Sequence, residues 1–102
     1  MNNVRRNELN KVIDGLNAIQ DKDSLYALID KLDNIKYDEE DYYGNIPENL
    51  QGSQRAESSE QAIESLDEAL ELLNEICDEE DFNNDDERIQ DIINKIEDAI
   101  WA

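Results

Sequence analysis

The chain has 102 residues, of which 28 are Asp or Glu and 9 are Lys or Arg, so its formal net charge is −19. A balance this acidic excludes a protein that holds nucleic acid or an anionic membrane through its own surface, because both are bound by clustered Lys and Arg. With no His and one Cys, neither a cysteine nucleophile with an imidazole partner nor a zinc site is expected. We therefore expect a single domain in the cytosol that is not an enzyme and uses no cofactor.

Apolar residues repeat at helical spacing in four segments, and no segment alternates as a strand would. The first two apolar stripes lie on opposite faces of an ideal helix, so the chain must turn between them, with Asp23 or Ser24 as the next N-cap. The second helix is expected to fade after Lys36, because the four acids Asp38 to Asp41 oppose the dipole at a helix C-terminus. The predicted helices span about 3–20, 24–38, 53–78 and 85–101 of one domain, residues 1–102.

The third helix is predicted to be the longest, with Ser53 as its N-cap after a loop at Gly44 to Gly52. Cys77 lies on its apolar side and is expected to be buried. Trp101 follows the last apolar stripe and is expected to complete the core; the alternative is an exposed contact for a second copy. Burying the four stripes against each other predicts an all-α fold, a small antiparallel helical bundle of three to four helices with one long acidic helix.

Acidic residues are concentrated in the middle of the chain: residues 1–37 hold six acids and six bases, whereas residues 38–87 hold 19 acids and one base. In the third helix many of them are like-charged i,i+3 and i,i+4 neighbours, which destabilises a helix. This repulsion brings no structural gain, which favours a surface that binds a cationic partner. The alternative is a solvated face that keeps the protein soluble. The candidate partner-binding residues are Asp38, Glu39, Glu40, Asp41, Tyr42, Tyr43, Glu57, Glu60, Glu64, Asp67, Glu68, Glu71, Glu75, Asp78, Glu79, Glu80, Asp81, Asp85, Asp86 and Glu87.

Two further patterns bear on this surface. The tyrosines Tyr37, Tyr42 and Tyr43 flank the acidic run 38–41, where they either stack on an Arg of a partner or pack over the end of the bundle. The acidic segment 78–87 lies between two helices, as a calcium loop would. No starting position in it supplies the EF-hand ligands together with the central Gly and the final Glu, so we expect no metal site.

The segment Asp33 to Ser53 resembles a recurrent type of small acidic helical-hairpin protein found in phages and mobile elements of Gram-positive bacteria. That type has an Asn-Ile/Leu-Pro-Glu-Asn/Ser-Leu-Gln loop, here Asn45 to Gln51, followed by a Glu-rich Ala-Ile-x-x-Leu-x-x-Ala-Leu helix, here Gln61 to Leu73. The resemblance covers about the middle half of the chain, and only the loop is distinctive. It carries no settled activity and no residue roles. What it implies is a phage context, in which small acidic proteins often resemble DNA mimics with anti-CRISPR or anti-restriction activity.

The sequence thus predicts a stoichiometric inhibitor that blocks the positively charged nucleic-acid channel of a CRISPR effector or restriction enzyme, with carboxylates in place of phosphates. One alternative is a structural module, such as a homodimer, that assembles through its apolar stripes and Trp101. Another is an acidic chaperone that shields a basic partner. The inhibitor and the chaperone both require salt-sensitive binding, whereas the structural module forms a salt-insensitive oligomer.

Overall fold

The computed structural model describes residues 2–19, 21–50, 52–78 and 86–102. Across these ranges the chain forms four α-helices and one short 3-10 turn, with no strand. The predicted all-α class is therefore confirmed, and the third helix is the longest. The elements are α1 (Asn3–Asn17), α2 (Lys22–Gly44), the 3-10 turn (Glu48–Leu50), α3 (Gln54–Cys77) and α4 (Asp86–Ile100).

The four helices form a closed ring in which each packs against two others, in the order α1, α2, α3, α4 and back to α1. Arg5 near the start of α1 contacts Glu39 near the end of α2, and Glu39 contacts Ser59 near the start of α3. The Arg6 side chain also donates to the carbonyl oxygen of Ile100 at the end of α4. The starts of α1 and α3 therefore share one end of the bundle with the ends of α2 and α4, so sequential helices are antiparallel. The bundle measures 49 × 22 × 20 Å.

One hydrophobic core runs through the bundle and takes buried side chains from all four helices. Cys77 is buried in it, as predicted, and burial raises the pKa of its thiol. The expected core position of Trp101 is wrong: this residue is 81% exposed, because Ile100 fills the last core position of α4. No helix in the described part of the chain is both long and apolar enough to cross a lipid bilayer.

Helix α2 differs most from its predicted bounds. Its N-cap is Asp21, not Asp23 or Ser24: the Asp21 carboxylate accepts a hydrogen bond of 2.8 Å from the Ser24 N–H, which lowers the pKa of Asp21. The predicted end after Lys36 is also wrong, because α2 continues to Gly44. The acidic run does not end the helix since one of its carboxylates, Glu39, is compensated inside the bundle. The other boundaries differ less, and Ser53 is the N-cap of α3 as predicted.

A buried polar network joins three helices at one end of the bundle. Glu39 is fully buried, its Oε2 lies 2.6 Å from Nε of Arg5, and its Oε1 accepts a hydrogen bond of 2.8 Å from Oγ of Ser59. The Arg5 side chain is itself only 14% exposed, and its guanidinium lies 5.3 Å from the centre of the Tyr42 ring. Burial removes the solvation of Arg5 and Glu39 by water, and each charge is compensated by the other. A buried ion pair is stable only when its charges are compensated in this way.

We predict that Glu39→Gln destabilises the protein by about 3 kcal/mol, because Arg5 would keep a buried charge without its counter-charge. Urea unfolding followed by circular dichroism measures this as a lower midpoint. The matched control is Asp38→Asn, an exposed neighbour in the same acidic run, which should shift the free energy of unfolding by less than about 0.5 kcal/mol. Equal midpoints for the two variants would show that the network does not hold the helices together.

Candidate partner-binding surface

Helix α3 and its C-cap, Asp78, carry eight carboxylates on the face opposite the core. At 100° per residue all eight fall within an arc of about 100°, and they extend over about 32 Å of the helix axis. Every one of these side chains is exposed. We call this set the acidic stripe: Glu57, Glu60, Glu64, Asp67, Glu68, Glu71, Glu75 and Asp78.

Lysines from the two neighbouring helices neutralise only the middle of the acidic stripe. Nζ of Lys36 on α2 lies 2.7 Å from Oδ1 of Asp67, and Nζ of Lys95 on α4 lies 2.8 Å from Oε2 of Glu68. These hydrogen bonds raise the pKa of both lysines. The other six carboxylates make no ion pair with a described residue. The acidic stripe therefore presents two uncompensated groups of negative charge, one on each side of a neutralised centre.

A second exposed row lies on α2, where two tyrosines alternate with acids. Tyr26, Asp30, Asp33, Tyr37 and Asp41 are spaced by four, three, four and four residues and so share one face of the helix. Tyr37 is 70% exposed and Tyr26 is 48% exposed, which is unusual for large aromatic side chains. We call this set the tyrosine row. It places aromatic rings beside carboxylates on a solvent-facing surface.

Sequence reasoning missed Tyr26, Asp30 and Asp33, because residues 1–37 are neutral when their charges are summed. In the folded chain the bases of that segment are used elsewhere: Lys31 lies 3.2 Å from Glu8 on α1, and Lys36 reaches α3. The acids of the tyrosine row are therefore left exposed. The signal that could have identified the row is its helical spacing, considered apart from net charge.

The predicted residues of the run 38–43 separate into exposed and buried groups. Asp38, Glu40 and Asp41 are exposed, with Glu40 lying 3.5 Å from Lys36. Glu39 faces the core, so it adds nothing to the charged surface. Tyr42 and Tyr43 are half-buried, and the Tyr42 ring is covered by Arg5 of its own chain, in agreement with packing at the bundle end.

The remaining predicted residues lie around the connection between α3 and α4. Glu87 is exposed, and Asp86 is the first residue of α4. Glu79, Glu80, Asp81 and Asp85 lie outside the described residues, as does most of the segment tested as a calcium loop. Within the described ranges, no group of three or more Asp, Glu or Cys side chains is arranged to hold a metal ion.

Repulsion along the acidic stripe should make the stability of the protein depend on salt. We predict that the melting temperature rises between about 10 mM and about 500 mM NaCl, because the screening length shrinks from about 30 Å to well below 10 Å. The triple variant Glu64→Gln, Glu71→Gln and Glu75→Gln should show a smaller rise, since three repelling charges are gone. A melting temperature that falls with salt would mean that surface ion pairs outweigh the repulsion.

The chain was compared with protein-family models, with curated proteins and with solved structures, and none of them matches it. The resemblance of the loop at Asn45 to small acidic phage proteins therefore stays a prediction.

Proposed function

We propose that the protein binds the positively charged nucleic-acid channel of a partner protein through its acidic stripe and blocks it. The observation that carries this proposal is the set of six exposed carboxylates, on one face of α3 and at its C-cap, that make no ion pair with a described residue. Within each of its two groups, Glu57 to Glu64 and Glu71 to Asp78, the carboxylates without a lysine follow one another at a mean axial spacing of about 5 Å. A DNA strand presents one phosphate per about 3.4 Å of axis, so the charge density within each group is about two-thirds of that of a strand.

The shape of the bundle supports the same proposal. Its length of 49 Å equals about 14 base pairs at 3.4 Å each, so the acidic stripe lies along a rod as a strand lies along a duplex. The carboxylates are held on a packed bundle, so the backbone that carries them is already ordered before the partner binds. Little backbone conformational entropy is then lost on association.

The chemistry of the two exposed rows favours a partner surface rich in arginine. Carboxylates accept paired hydrogen bonds from a guanidinium group, as phosphates do. On α2, the exposed rings of Tyr26 and Tyr37 lie beside Asp30 and Asp33, so one arginine can contact an aromatic face and a carboxylate together. Both contacts would replace those that the partner makes with nucleic acid.

The class of partner is inferred from the resemblance described above. Small acidic proteins of phages suggest an anti-CRISPR or anti-restriction inhibitor acting in the host cytosol. The proposed targets are accordingly a CRISPR effector or a restriction enzyme, each of which holds nucleic acid in a basic channel.

Charge reversal tests the role of the acidic stripe. The variant Glu60→Lys, Glu64→Lys, Glu71→Lys and Glu75→Lys should no longer prevent purified effectors and restriction enzymes from binding DNA in a gel-shift assay. The matched control, Asp14→Lys, Asp91→Lys, Glu97→Lys and Asp98→Lys, changes the net charge equally at exposed positions of α1 and α4 and should still inhibit. Circular dichroism checks that both variants remain helical. Equal inhibition by the two variants would exclude the acidic stripe as the binding surface.

Salt dependence tests the mechanism. If about six carboxylates replace phosphates, the affinity for the partner should fall by about 10³-fold between about 50 mM and about 200 mM salt. The inhibitor should also compete with DNA, so that no complex contains all three components. An affinity that does not change with salt, or a stable ternary complex with DNA, would contradict phosphate mimicry.

A structural oligomer is the second candidate, because Trp101 is 81% exposed and Val4 is 69% exposed. Sedimentation equilibrium distinguishes it: a dimer that persists at high salt and dissociates in Trp101→Ala would favour a structural module. An acidic chaperone would show the same salt dependence as the inhibitor. It differs in outcome, since the partner would be protected from aggregation and would remain active after release.

A further inference from the structure

Two adjoining cavities open at the end of the bundle where α1 and α3 begin. The first has a volume of about 480 Å³ and is lined by Arg5, Arg6 and Arg55, among others. The second, of about 440 Å³, is formed mainly by the connection between α2 and α3. Tyr42 and Arg55 line both, so the cavities are two compartments of one cleft. Each compartment is within the usual size range of small-molecule sites, about 300 to 1,000 Å³.

The first compartment concentrates positive charge in an otherwise acidic protein, since it is lined by three of the nine basic residues of the chain. The charge of Arg5 is balanced by Glu39. Arg6 donates to the carbonyl oxygen of Ile100 at 3.0 Å and to the side-chain oxygen of Asn3 at 3.3 Å, and both acceptors are uncharged. Arg55 is exposed and makes no ion pair with a described residue. Two guanidinium groups that form no ion pair within the described ranges, those of Arg6 and Arg55, therefore line this compartment.

The second compartment is apolar. Its walls include Ile46, which is 8% exposed, together with Pro47, Leu50 and the ring of Tyr42. Leu50 is 48% exposed, so part of this apolar surface is open to a ligand. Arg55 lies at the boundary between the compartments, where its planar guanidinium can stack on an aromatic ring as well as pair with an anion.

We propose that this cleft binds a phosphate monoester carried on a flat apolar ring, which is the chemistry of a mononucleotide. The phosphate is held by the forked guanidinium groups of Arg6 and Arg55, which match the geometry of phosphate oxygens. The first backbone N–H groups of α3, at Gln54 and Arg55, have no partner within the helix and favour a negative charge nearby. The ring lies in the apolar compartment against Tyr42 and Pro47.

The surrounding charge favours a small ligand over a polymer. Glu57, two residues after Arg55, is the first carboxylate of the acidic stripe. A polynucleotide leaving the cleft along α3 would meet these carboxylates and be repelled, whereas a mononucleotide brings its charge only to the arginines. No residue of the acidic stripe takes part in this site. The ligand proposal is therefore tested independently of the proposed inhibition.

Calorimetric titration of the full chain with AMP tests the site, with adenosine and inorganic phosphate as separate ligands. We expect AMP to bind saturably and at least about tenfold more tightly than either fragment, because both compartments contribute only when ring and phosphate are joined. Phosphate binding as tightly as AMP would overturn the role of the apolar compartment. Adenosine binding as tightly as AMP would overturn the role of the arginines. Failure of AMP to bind would overturn the site.

Two substitutions separate the compartments. Arg55→Gln should weaken AMP binding about tenfold, since a charged hydrogen bond is lost at an exposed position that supports no other described contact. Leu50→Ser should weaken AMP and adenosine but leave phosphate unchanged. The matched control is Lys11→Gln, which removes one positive charge from an exposed position on α1 outside the cleft. If Arg55→Gln binds AMP as tightly as the control does, Arg55 does not hold the phosphate and the proposal is wrong.

Discussion

The buried ion pair between Arg5 and Glu39 determines how the rest of the molecule is arranged. With its charge compensated, Glu39 takes a core position, and α2 continues through its acidic run to Gly44. The added turns bring Tyr42 beneath Arg5 and start the connection to α3 at the same end of the bundle as the first turn of α1. The hydrogen bond to Ser59 fixes α3 in the same register. Both the outward face of α3 and the walls of the end cleft depend on this alignment.

Most of the fold could be predicted because it follows from apolar spacing. The stripes of α3 and α4 and the N-cap at Ser53 are local patterns, and the structure has them where the sequence indicates. The end of α2 could not be predicted in this way. A carboxylate within four consecutive acids has every local sign of solvent exposure, and only a partner 34 residues away in the chain makes its burial favourable. Asp21 was missed as the N-cap because Asp21, Asp23 and Ser24, three residues within four positions, have similar capping preferences.

The acidic stripe was predictable for the same reason as the core of α3, since both follow the period of a helix. The sequence could not predict which carboxylates of the acidic stripe are neutralised, because Lys36 and Lys95 come from other helices. The tyrosine row and the cleft could not be predicted because charges were summed over a segment or over the whole chain. A neutral total for residues 1–37 concealed the exposure of Asp30 and Asp33, and an overall charge of −19 concealed arginines collected at one end. Segment charge indicates composition, whereas recognition depends on which charges the fold leaves without a counter-charge.

The placement of the arginines has a consequence for how the protein meets a charged partner. Arg5, Arg6 and Arg55 lie at one end of a rod 49 Å long, while Glu71, Glu75 and Asp78, which pair with no base in the described part of the chain, lie toward the other. Such a separation contributes an electric dipole directed along the axis of the bundle. The field of a cationic surface then exerts a torque that turns the acid-rich half forward during diffusion, within the range of about 10 Å allowed by ionic screening. Orientation in the encounter complex would thus be selected before any side chains touch.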